Sequence, residues 1–93
     1  MRLVSENVRR IREAKGITKT FLAKKLGLSL QGYIHVERGA VNLSSERLRS
    51  IAGILGENVA IFFDDQLTEN VIRSHNALGI TAAITQPPST KPE

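Results

Sequence analysis

The chain has no cysteine among its 93 residues. Disulfides and cysteine-ligated metal sites are therefore excluded. Tryptophan is absent too, and one tyrosine and three phenylalanines are the only aromatics. Any core must be built mainly from aliphatic side chains. Proline is missing before residue 86, so nothing of that kind interrupts a helix there. Pro87, Pro88 and Pro92 all stand in the stretch 86–93 with Ser, Thr and Lys, which reads as a disordered tail. No apolar run approaches the roughly 20 residues of a membrane span, and no signal-peptide pattern opens the chain. A cytoplasmic protein with no membrane partner is expected. There is no P-loop and no dinucleotide fingerprint. His35 and His75 are far apart, and no motif places a nucleophile. Asp64-Asp65 reads as a helix-boundary pair rather than a catalytic dyad. No enzyme, metal site or cofactor is expected.

The length allows one small domain and an appendage. Charge is distributed unevenly over it. Residues 1–50 hold eleven Lys and Arg against four acids, and residues 51–93 hold two against five. A basic front half suits a polyanion, with the acidic half turned away.

Inside the basic half, periodicity describes two short helices and a tight turn. Leu22, Ala23 and Leu26 recur at helical spacing over Lys19–Leu26. Thr18 is placed to cap this helix, and Gly27 stops it. Leu28 plugs the corner. Ser29 caps a second helix, Leu30–Glu37, with Tyr33 and Val36 on its buried side and Gly39 closing it. Ala23 supplies the small side chain that two closely crossing helices need. Two helices joined in this way form the unit that sets a recognition helix in the DNA major groove.

The flanking chain reads as further helices. One begins at Ser5 or its neighbours, carries Val4, Val8 and Ile11 on its core face, and ends at Gly16. Another runs over Ser45–Leu55 from a Ser44 cap, with Leu48, Ile51, Ala52 and Leu55 inward and Gly56 at its end. Asn58 caps a short fifth helix, Val59–Phe63. Leu67, Val71, Ile72 and Leu78 define one face of a sixth, ending near Asn76 or Gly79. Residues 80–85 are open between strand, helix extension and coil. The expected organisation is all-α: a domain over 1–66, a helical extension over 67–79 and a tail over 80–93.

The marks Ile11-Arg12-Glu13, Lys15-Gly16-Ile17-Thr18, Leu22 to Ser29, Val36-Glu37-Arg38-Gly39, Leu48, Ile51-Ala52, Leu55-Gly56 and Phe62-Phe63 follow one another without gaps. In these, residues 8–63 resemble the lambda-repressor and Cro type of helix-turn-helix domain. The resemblance implies a compact five-helix DNA-binding fold, used as a dimer by a transcriptional regulator, most often a repressor.

Helical geometry selects the residues that would meet double-stranded DNA. With Tyr33 and Val36 inward, Gln31, His35 and Arg38 form an outward stripe. Gln pairs with adenine N6 and N7, and Arg with guanine O6 and N7. Gln31 sits in the first turn, the part of a recognition helix that reaches base edges. Leu30 stands where the family often has glutamine, and is read as pressing on a thymine methyl or tucking beside Tyr33. Gly32 permits close backbone approach. Tyr33 replaces the usual Ile or Val and needs a partner for its hydroxyl. Ile34 is apolar where the family is usually polar.

Thr18 and Lys19 open a helix whose amides favour an anion. Lys19 takes the place of a family phosphate-binding glutamine. Asn42 and Ser44 match the family's second backbone clamp, and Arg9 and Arg10 are additions from the first helix. Arg12 and Glu37 match the family's ion pair between the first helix and the end of the third. A homodimer seam is expected far from the recognition helix, at Val59, Ile61 and Phe62 and then Leu67, Val71, Ile72 and Leu78. The alternative reading is an antitoxin or protein-interaction adaptor of the same fold, with a protein partner on the C-terminal extension.

Overall fold

The computed structural model describes residues 2–39 and 43–85, with side chains up to Ala77. Among the described residues there are five α-helices and one 3-10 helix. They are α1 (Val4–Ala14), α2 (Lys19–Leu26), α3 (Leu30–Glu37), α4 (Ser45–Leu55), the 3-10 helix Val59–Phe63 and α5 (Asp65–Thr85).

Each helix starts where a short polar side chain accepts an orphan amide. Thr18 accepts from Phe21 N at 3.0 Å, Ser29 from Gly32 N at 3.0 Å and Ser44 from Arg47 N at 3.1 Å. Asn58 accepts from Ala60 N at 2.8 Å, and Asp64 Oδ1 accepts from Gln66 N at 2.8 Å and Leu67 N at 3.0 Å. Asp64 therefore caps α5. The first helix is the exception, since Leu3 precedes it and has no acceptor. Glu6 instead reaches back to accept Leu3 N at 3.2 Å.

The turn between α2 and α3 depends on Gly27. Its φ of 72° lies in the left-handed region that costs a side chain energy and glycine little. That twist lets Leu28 N reach back to Ala23 O at 2.8 Å. Three residues, Gly27, Leu28 and Ser29, separate the end of α2 from the start of α3.

The core consists of Val8, Ile11, Leu22, Ala23, Tyr33, Val36, Leu48, Ile51, Ala52, Leu55, Ile61 and Phe62, all buried. Fully burying one of its larger side chains contributes about 1.5–3 kcal/mol. Leu22, Ile51, Phe62 and Tyr33 come from four different elements and have no exposed surface. The helices therefore fold around one another rather than in pairs.

Helix α1 starts at Val4, next to Ser5 as expected. Two expectations are sharpened. The fifth element is a 3-10 helix, because five residues between the Asn58 cap and Asp64 close through short bonds, Ile61 N to Asn58 O at 3.1 Å and Asp64 N to Ile61 O at 3.3 Å. The final helix starts at Asp65 and runs past Asn76 and Gly79 to Thr85, so residues 80–85 continue it. The tail 86–93 lies outside the described residues.

Polar groups fasten α5 to the body. Thr68 is fully buried, and its hydroxyl donates to Ile61 O at 2.5 Å. Asn7, equally buried on α1, donates to Phe62 O at 3.0 Å and to Asp65 Oδ1 at 3.2 Å. Arg10 on α1 pairs with Glu69 on α5 at 2.5 Å. Val71 and Ile72 add partly buried apolar contact with the core. Asn7 was legible as a polar residue on the stripe of Val4, Val8 and Ile11, but its partners come from distant chain.

Candidate nucleic-acid interface

Helix α3 has two unlike sides. Tyr33, Val36 and Glu37 are buried, whereas Leu30, Gln31, His35 and Arg38 are exposed and Gly32 and Ile34 are intermediate. Gln31, His35 and Arg38 lie four and three residues apart and share the outer face. Leu30 is 45% exposed. Gly32 is constrained by its own cap: a Cβ there would stand 3.2 Å from Ser29 Oγ.

The buried side of α3 is held by a three-membered polar network. Arg12 Nε donates to Glu37 Oε2 at 2.5 Å and Arg12 Nη2 to Glu37 Oε1 at 3.3 Å. The Tyr33 hydroxyl donates to Glu37 Oε2 at 2.5 Å. Arg12 Nη1 donates to Ile17 O at 2.7 Å, which ties in the turn before α2. The Arg12 and Glu37 side chains are only 7% and 4% exposed. Burial by itself would lower the Arg12 pKa, but the hydrogen bond and charge of Glu37 outweigh it and the value is raised. Burial, then Glu37, pushes the Tyr33 hydroxyl far above its ordinary range, so it remains a donor. One carboxylate thus accepts from α1 and α3 and fixes the rotation of α3 about its own axis.

Cations border the exposed side. Lys19 is exposed at the start of α2. A cleft of about 490 Å³ separates the first half of α1 from the start of α2 and the end of α3, and Arg9, Lys19, Ile34 and Arg38 line it. Thr18 and Ser44 are exposed, and each uses its side-chain oxygen as a helix cap. The expectation for Asn42 lies outside the described residues.

Arg10 departs from its expected role as a phosphate grip. Its side chain is 19% exposed and its guanidinium is taken by Glu69. The hydrogen bond to Arg10 holds the Glu69 carboxyl below its usual value. The reason is positional, since Arg10 lies on the face of α1 that α5 covers. Nor are Ile61 and Phe62 available for a seam. They are 8% and 0% exposed, because the 3-10 helix turns them into the protein's own core. Val59, Val71 and Ile72 are partly buried against that core, and Leu67 is 42% exposed. Leu78 lies in the helical backbone of α5, but its side chain is outside the described residues.

Sequence reasoning missed Arg47 and Phe63. Arg47 Nη1 reaches the α2 carbonyl of Leu26 at 3.4 Å, which helps to hold α4 against α2. Phe63 is 57% exposed while its neighbour Phe62 is fully buried. Among the described residues no group of His, Cys, Asp and Glu could hold a metal ion. No helix among them is long and apolar enough to cross a membrane.

The helix-turn-helix family, of the lambda-repressor and Cro kind, matches residues 8–62. No curated protein and no solved structure is a match for the chain.

Proposed function

The chain belongs to the helix-turn-helix family, and from that premise we propose that it is a sequence-specific DNA-binding transcriptional repressor, acting in the cytoplasm as a homodimer on a pseudo-palindromic operator. Helix α3 lies in the major groove. Gln31 reads a base in the first turn, and His35 and Arg38 reach bases or backbone further along. Thr18, Lys19 and Ser44 hold phosphates and set the register. The observation that carries this reading is the division of α3. Its outer stripe of Gln31, His35 and Arg38 is exposed, while its inner side is fixed by the Arg12–Glu37–Tyr33 network. A recognition helix needs both, because side chains read base edges only when the backbone behind them is held in place.

The homodimer follows from the size of the reading surface. One helix of this length covers only a few base pairs, and a two-fold pair doubles the contacts at half-sites about 34 Å apart. Leu67 and Phe63, the exposed apolar residues next to the domain's acidic end, supply the seam with Val59 and Val71 beside them. The docked α5 also favours a regulator over an antitoxin whose extension would order only on its toxin. Its polar fastenings to α1 and to the 3-10 helix are made within this one chain.

Selection of bound fragments from random duplex DNA tests the reading. A two-fold symmetric sequence is expected. Gln31→Ala should then lower specific affinity by about 1–3 kcal/mol and relax preference at one base pair per half-site. Failure to enrich any sequence would refute the proposal.

A further inference from the structure

Leu30 and Ile34 are one helical turn apart on α3 and share a flank. At about 100° per residue, that flank lies beside the Gln31–His35–Arg38 stripe, on the side away from Gly32. Leu30 is 45% exposed and Ile34 is half-buried, with Ile34 lining the cleft that also contains Lys19 and Arg38. The outer surface of α3 is therefore ordered in space. An apolar strip stands beside side chains able to hydrogen-bond, and the Lys19 cation lies on the cleft that Ile34 and Arg38 line.

The major groove has the same order. Moving inward from a strand's phosphates, the first feature of a thymine is its C5 methyl, followed by the polar edges of the base pair. The Leu30 and Ile34 side chains have no hydrogen-bonding group, so they gain nothing from polar edges, but they gain from covering a methyl group. We propose that Leu30 and Ile34 form a reader of pyrimidine C5 methyl groups, set beside the base held by Gln31. The ligand chemistry is a 5-methylpyrimidine, supplied by thymine or by 5-methylcytosine. The inference rests on the DNA-reading role proposed above and adds a specificity that hydrogen-bond donors and acceptors alone do not give.

The test uses the full chain and the duplex enriched from the random pool. Each thymine is replaced in turn by deoxyuridine, which removes the methyl and leaves every hydrogen-bonding group in place. In a second arm each cytosine is replaced by 5-methylcytosine. Loss of affinity of about four-fold per contacted methyl is expected, corresponding to about 0.8 kcal/mol at about 1.4 kcal/mol per tenfold. Such a loss at one or two thymines per half-site assigns the methyl to thymine. A gain of similar size with 5-methylcytosine alone assigns it to that base. In Leu30→Ala and Ile34→Ala the sensitivity should disappear at one position each and remain at the other. A thermal melt followed by circular dichroism shows whether these variants are folded, and methyl removal on the unsubstituted protein answers the question without them. An enriched duplex bound equally well with and without its methyl groups in both arms would overturn this inference and leave DNA reading standing. Failure to enrich any duplex would overturn both.

Discussion

Replacing Arg12 by methionine should be among the most damaging single changes available outside the apolar core. The substitution keeps the length of the aliphatic stem and removes the guanidinium. Glu37, only 4% exposed, would then hold its charge with the Tyr33 hydroxyl as its one remaining partner in the network. Breaking a buried pair from one side costs about 3–5 kcal/mol, because it leaves a charge that neither water nor a counter-ion reaches. Loss of the bond to Ile17 O, made at 2.7 Å, adds to this. Domains of this size have a total stability of about 5–15 kcal/mol, so the variant should approach the edge of folding. Tyr33→Phe is milder. It removes one hydrogen bond to a charged group, worth about 1.5–3 kcal/mol, and leaves Arg12 in place. Urea unfolding of Arg12→Met, Glu37→Leu and the double variant gives the coupling. The double variant should be more stable than Arg12→Met alone, because it no longer contains an orphaned carboxylate. If Arg12→Met costs less than about 0.5 kcal/mol, as an ordinary surface change does, or if the two substitutions are simply additive, the network does not anchor α3.

Lys19→Ala should weaken binding to all duplex sequences alike and reduce the slope of log affinity against log salt by about one, read from titrations at several salt concentrations. Acid should loosen α5 before the rest of the domain. Asp65 is held below its ordinary 3.8 by the Arg2 amide and Asn7, and Glu69 below 4.5 by Arg10. A depressed folded pKa contributes stability that is complete above the unfolded value and is lost as pH falls through the folded one. The protection of α5 amides against exchange, taken relative to the intrinsic rate at each pH, should therefore fall as pH drops below about 4, and less so in Glu69→Gln, whose link to Arg10 is already weakened. Leu67→Asp with Phe63→Asp should give a folded monomer in analytical ultracentrifugation. A folded dimer would place the seam elsewhere.

The sequence by itself determined the local structure. Thr18, Ser29, Ser44 and Asn58 each cap the helix that follows, and Gly27 ends α2, because these effects act within one turn of the chain. The inward faces of α1 and α4 were legible for the same reason, since helical period alone sorts Val8 and Ile11, or Leu48, Ile51 and Leu55, onto one side. Tertiary structure decided everything that needed a second segment. Arg10 looked like any exposed cation until Glu69 arrived from α5 to take it. Phe62 and Phe63 are indistinguishable as letters, yet the direction of the 3-10 turn buries one and exposes the other. The demand of Tyr33 for a hydroxyl partner was readable, but its sharing of Glu37 with Arg12 was not. That contact joins α3 to a helix 25 residues earlier, from Arg12 to Glu37. Hydrogen bonds and burial over such separations depend on how helices pack, which the period of a single helix does not specify.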